Sequence, residues 1–198
     1  HTGAKRLIGR SYRTAPKWSV NGKWAVMYDP IAQVWNKFDG ATGKVVNISD
    51  AIGYPMFMES YDKPAPAPAY GIAGWTADGN NVFLYDAYDW WKIDLTGERQ
   101  PECLTKGYGR KHGKSIRKMT SNIDKDVFQK DEKVIVSLWD KDTMDEGVYQ
   151  LDMKGRLRKL MEGNYVYTIH RFSDNHEYCV WNRQNVSEFR DLWWSKSD

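Results

Sequence analysis

A chain of 198 residues can bury one sizeable core or two small ones. With 41% hydrophobic and 14% aromatic residues it is too apolar to stay disordered. The 29 basic and 26 acidic residues leave a net charge of +3, which gives no strong attraction for nucleic acid or anionic lipid.

The chain opens on His1-Thr2-Gly3 without an initiator Met. That predicts a cut N-terminus and leaves the compartment unread, cytoplasmic or exported. No signal peptide is visible, and no apolar run approaches the roughly 20 residues of a membrane span, so no membrane partner is expected. Cys103 and Cys179 are expected to be small buried apolar side chains, since two Cys make neither a disulfide framework nor a CxxC zinc site.

The 10 Trp and 12 Tyr favour strands. The first unit begins at residues 18–29, WSVNGKWAVMYD. Trp18 is expected to end one strand and plug the core. Asn21-Gly22 is a tight hairpin turn, where Gly or Asn accepts positive φ, and a second strand follows. Residues 34–39 are a third strand, and residues 44–48 a fourth after the turn at Thr42-Gly43. Residues 53–69 are an insertion holding Pro55, Pro64, Pro66 and Pro68. Alternate prolines favour extended chain and block sheet pairing.

The pattern returns at residues 75–86, with Asp78-Gly79 at the turn, a third strand over 90–94 and a fourth over 100–105. Residues 106–118 carry Arg110, Lys111, His112, Lys114, Arg117 and Lys118 beside three glycines, and are expected to be a basic loop. Apart from Tyr108 it lacks interleaved aromatics, and the rest of the chain is balanced in charge, so a solvated loop outweighs a phosphate or nucleic-acid site. A degenerate third copy spans 128–139, continuing through strands at 148–152 and 156–160. The fourth spans 172–181 with a third strand at 189–194, and the chain stops before a fourth strand. That predicts a natural protein that continues.

Four antiparallel strands per unit make a β-propeller blade, so the fold class is all-β. The anchors Trp18, Trp75, Phe128 and Phe172 are 57, 53 and 44 residues apart, which suits blades of about 40 to 50 residues with insertions. The blades are placed at residues 5–52, 70–106, 116–163 and 164–198. Trp90-Trp91 and Trp193-Trp194 recur at what looks like one blade position, which argues for packing between blades over a sugar platform.

The aromatic-x-x-Asp-Gly-Lys turn resembles the propeller repeats of the prolyl oligopeptidase family of serine peptidases, which includes dipeptidyl and acylaminoacyl peptidases. Residues 18–23 are similar to its strand-turn signature, with Val20 where Pro is usual. Residues 64–79 and 84–94 resemble the large, mainly bacterial members. The resemblance implies an N-terminal propeller of seven or eight blades, of which about four are present, over a C-terminal α/β-hydrolase domain. No Gly-x-Ser-x-Gly elbow occurs, so no catalytic residue is assigned. The implied task is to gate the active site and help bind peptide substrate.

Glu59 and Asp62, in the insertion, are the candidate substrate-binding residues. Relatives use propeller carboxylates to hold a peptide's amino terminus through charge-assisted hydrogen bonds. The alternative is a pair of solvated loop charges. None of His1, His112, His170 and His176 has a partner at metal or dyad spacing, so no metal and no cofactor are expected. The rival functions are a stand-alone WD-repeat-like protein-binding scaffold and a carbohydrate-active propeller. Four blades are too few to close a ring, and open edges invite self-association.

Overall fold

The computed structural model describes residues 15–119, 126–175 and 177–197, together with Gly3, Lys5 and Leu7. The chain divides into two compact units, His1–Cys103 and Leu104–Asp198.

In the first unit, β1 (Lys17–Trp18), β2 (Trp24–Asp29), β3 (Val34–Asp39) and β4 (Val45–Asn47) form an antiparallel sheet in sequence order. A second such run is β5 (Ile72–Thr76), β6 (Asn81–Tyr85), β7 (Trp90–Asp94) and β8 (Glu102–Cys103). The two sheets share one core, in which Trp24, Val26 and Tyr28 meet Val82, Leu84 and Ile93. Their central strands β2 and β6 are buried almost throughout, as strands covered on both faces must be.

The second unit starts with one helical turn, α1 (Tyr108–Lys111). Strands β9 (Lys114–Lys118), β11 (Lys133–Asp140), β12 (Glu146–Asp152) and β13 (Leu157–Gly163) form its first sheet, in the order β9-β11-β12-β13. The short strand β10 (Val127–Phe128) lies between β9 and β11 in sequence. The last sheet has three strands, β14 (Val166–Phe172), β15 (Tyr178–Gln184) and β16 (Asp191–Lys196). Its inner face, Ile169, Cys179 and Trp181, packs with Val148, Ile135 and Met161 of the sheet before it.

Each sheet is an up-and-down meander, the blade unit of a β-propeller, and the chain is a scaffold of such blades. Two expectations need correction. Residues 106–118 are not a loop: they form α1 and β9, and Ile116 of β9 lies fully buried opposite Leu138. A single apolar residue flanked by Lys and Arg hid that strand. It follows that Phe128, although buried, does not end the first strand of the third sheet, because β11 pairs with β9 and β12.

The hairpins share a device that strand patterning does not display. Asp39, Asp94, Asp140 and Asp152 each end a strand and accept hydrogen bonds from N–H groups of the following turn, as in Ala41 N–H to Asp39 Oδ1 at 2.8 Å. Turn N–H groups from Thr42 and Asp142 hold the Asp39 and Asp140 carboxyls below their ordinary range, and the Thr76 hydroxyl does the same for Asp78. Burial pushes Asp94 and Asp152 upward, but hydrogen bonds led by those from Thr96 and Arg156 outweigh it. A carboxyl depressed in the folded state binds fewer protons there than in the unfolded chain. Its contribution is therefore present above the ordinary carboxylate value and is lost as pH falls through the folded one. Urea midpoints are expected to fall steeply below about pH 4, and Asp94→Asn should flatten that fall.

Candidate interaction surface

The predicted substrate residues Glu59 and Asp62 are exposed on one turn of the insertion, closed by a hydrogen bond from Tyr61 N–H to Met58 O at 3.1 Å. The backbone N–H of Glu59 donates to the Tyr70 hydroxyl at 3.3 Å. The insertion is tied down on its inner side. Met56 and Ile52 enter the core of the first unit, Phe57 bridges Ala69, and Met58 N–H donates to Pro68 O at 2.8 Å. Tyr28 of β2 donates its hydroxyl proton to Ala67 O at 3.1 Å. Burial, with the Asp29 charge beside it, pushes the Tyr28 phenol up to about 12. Tyr28→Phe should cost about 1 kcal/mol and raise hydrogen exchange in the insertion before the strands, the outcome that checks this anchor.

The aromatic anchors do not behave alike. Trp75 and Phe128 are buried and Phe172 half-buried, but Trp18 is 55% exposed and stands edge-on against Phe38 instead of plugging the core. The two tight turns meet: Asn21 Nδ2 donates to Asp78 O at 2.9 Å.

His170 is exposed, with Nε2 2.7 Å from Asn182 Nδ2, and the His112 ring lies against Tyr108. His1 and His176 lie outside the described residues. Among the described residues no group of three His, Cys, Asp or Glu is gathered to hold a metal. Cys103 is half-buried and Cys179 buried, and the two are not joined in a disulfide. In the basic stretch, Lys114 pairs with Glu162 at 2.6 Å and Lys118 with Asp126 at 2.9 Å.

Among the described residues, cavities lie between sheets in each unit. In the first unit a polar one of about 220 Å³ is lined by Lys37, Asp50, Asp94 and Arg99, and the Lys37 ammonium donates to Leu95 O. In the second unit an apolar one of about 250 Å³ is walled by Ile135, Leu160, Ile169, Phe172 and Trp181. Beside it Glu146 Oε2 accepts the Tyr167 N–H at 2.8 Å, stitching β12 to β14. Burial raises the Glu146 carboxyl above its ordinary 4.5, against the Tyr167 hydrogen bond, which lowers it. A raised carboxyl binds protons more readily when folded, so its ionisation weakens stability as pH rises past the ordinary value. Glu146→Gln keeps an acceptor for Tyr167 and should remove that decline. Denaturant midpoints measured from pH 4 to 7 check this.

The open surface is the far face of the last sheet, which sequence reasoning did not single out. Tyr178, Val180 and Trp194 lie on it, with Trp194 opposite Val180 and the Tyr178 and Trp194 rings 5.8 Å apart. Leu192 and Trp194 are 73% and 72% exposed. On the opposite face Trp193, 43% exposed, stacks on the buried Trp181 at 5.9 Å, with the Arg183 guanidinium over Trp193 and Tyr165.

The tryptophan pairs are also out of step. Trp91 faces Leu84, and Trp193 faces Trp181. Leu84 and Trp181 are equivalent in their second strands, so Trp193 matches Trp91, and Trp194 matches Lys92. Trp90 stands two residues before Lys92 and so shares the face of Trp194, yet Trp90 is 0% and Trp194 72% exposed.

No family model matches the chain, and no curated protein matches it. Among solved structures it is similar to TolB from Acinetobacter baumannii, at 11% identity and a TM-score of 0.48, covering 92% of this chain and 40% of that one. It is similar to regucalcin, a calcium-binding protein from Agrobacterium tumefaciens, at 10% identity and a TM-score of 0.42, covering 96% and 62%. A protein assigned as TolB from Agrobacterium tumefaciens aligns at 12% identity and a TM-score of 0.38, covering 97% and 80%. The chain spans less than two thirds of the length of the first two.

Proposed function

We propose that this chain is the non-catalytic propeller portion of a prolyl-oligopeptidase-like serine peptidase, gating access to an α/β-hydrolase domain and helping to bind peptide. The observation that supports the reading most is the stretch that carries the family resemblance, residues 70–94. It folds as a complete run of strands β5, β6 and β7, with the proline-rich insertion pinned beside it. Glu59 and Asp62 stand exposed on that insertion, where carboxylates can take a peptide ammonium by charge-assisted hydrogen bonds.

The test is a serine-reactive fluorophosphonate probe applied to the polypeptide carrying this chain, recovered from the cells that encode it. A labelled serine on that same polypeptide is expected. An unlabelled polypeptide made only of blades would overturn the reading in favour of a stand-alone binding scaffold. In the labelled enzyme, Glu59→Gln with Asp62→Asn should raise KM for peptides with free amino termini and leave kcat unchanged.

A further inference from the structure

Three of the sheets carry the same internal marker. The backbone N–H of Trp24 donates to the Ser19 hydroxyl at 3.1 Å, that of Asn81 to Thr76 at 3.0 Å, and that of Tyr178 to Ser173 at 3.0 Å. In each case the donor opens the second strand, five residues after the hydroxyl. The marker puts Trp24, Asn81 and Tyr178 in one register, and every later residue of β2, β6 and β15 follows from it.

Side chains alternate between the two faces of a strand. In β2 the set Trp24, Val26 and Tyr28 covers the next sheet, meeting Val82 and Leu84. Those two belong to the other set, which faces backward. In β15 the backward set is Cys179 and Trp181, and it is used in the same way, buried against the preceding sheet. The forward set of β15 is Tyr178, Val180 and Asn182. Trp24 and Val26 are 9% and 1% exposed, whereas Tyr178 and Val180 are 40% and 37% exposed. In β15 the backward set is thus filled while Tyr178 and Val180 of the forward set are open, and Leu192 and Trp194 of β16 widen that open patch at 73% and 72%, against 43% for Trp193 on the backward face.

We propose that this forward face seats a further blade-type sheet: four antiparallel strands whose second strand offers aliphatic side chains at the positions of Val82 and Leu84. The proposal rests on register and burial alone and holds whatever chemistry the seated sheet is attached to. A second copy of this chain does not fit with its own first sheet, because Ala25 and Met27, the backward set there, are each already 1% exposed. A lone extended peptide on the edge of β16 would leave Val180 and Tyr178 bare, because they stand on β15, behind the edge strand.

The experiment places a photoreactive residue, Val180→p-benzoylphenylalanine, in the chain as its own cells make it, and maps the crosslinked peptide by mass spectrometry. The expected result is a crosslink to an alternating apolar strand that follows a Ser- or Thr-led turn. It should be lost when the photoreactive residue is moved to Val186, which is fully exposed and outside the face. Trp194→p-benzoylphenylalanine repeats the test from β16 and guards against a local folding defect. Absence of a crosslink from both positions overturns the proposal. So does a crosslink to a second copy of residues 1–198, or to a single extended segment with no sheet around it. Fluorophosphonate labelling is independent of these outcomes, so the peptidase reading and the docking face fail separately.

Discussion

Gly155→Ala is expected to lower stability by about 4 kcal/mol, among the largest effects a single methyl group can have. Gly155 sits at φ +81 in the turn that joins β12 to β13, where Asp152 accepts its N–H at 2.9 Å. A Cβ built there would lie 1.8 Å from the Leu104 carbonyl oxygen, so backbone has to move. The left-handed conformation alone costs an L-residue about 1 kcal/mol, and forced overpacking adds about 1–3 kcal/mol. The control is Gly22→Ala. Its φ of +68 is similar, but nothing lies within 4 Å of the added methyl. Gly22→Ala should therefore show the conformational cost alone. For a chain of this size the Gly155 variant should melt roughly 10 °C lower, and the Gly22 variant roughly 3 °C lower. Equal melting temperatures would mean that the Leu104 approach is not present.

Blades are legible in this chain because their signals are local. Asn21-Gly22 and Asp78-Gly79 announce hairpins, and the strands after them alternate or run apolar, so β2, β3, β6 and β7 fall where the pattern puts them. The third sheet breaks the pattern for a physical reason. Its first strand contributes only Ile116 and Ser115 to the interior and is otherwise Lys and Arg, and the long interruption before β11 lets Phe128 imitate the anchor of the other units. Tertiary pairing with β11, not local preference, makes β9 a strand.

The open face was only half visible. Its residues are in the repeat as written, since Tyr178 and Val180 fall where Trp24 and Val26 fall. What the repeat does not disclose is which set of alternating side chains looks forward. That needs the pairing register, and a count that is off by one exchanges the two faces. The capping aspartates are a similar case. Asp39, Asp94 and Asp152 recur visibly at strand ends, yet their role appears only when each carboxylate is seen collecting the N–H groups of its own turn. Glu59 and Asp62 stay exposed on their loop, and geometry adds no partner that a solvated charge would lack.

Trp90→Ala is the second large expected effect, at about 3–5 kcal/mol, the range for emptying a fully buried aromatic site. Trp90 is 0% exposed and packs edge-on against Tyr85 at 5.3 Å and tilted against Phe83 at 6.3 Å. The pair Tyr85 and Trp90 repeats the cross-strand pair Tyr28 and Trp35 of the first sheet, whose rings are 5.4 Å apart. The same two positions in the last sheet hold Asn182 and Leu192, which lack that aromatic pair. Trp194→Ala supplies the contrast. At 72% exposure it should change the stability of the chain alone by no more than about 0.5 kcal/mol. Chemical denaturation of the two variants side by side separates them. A large loss at Trp194 in the isolated chain would mean that this tryptophan already packs within the chain, and the face it widens would then be closed before any partner sheet arrives.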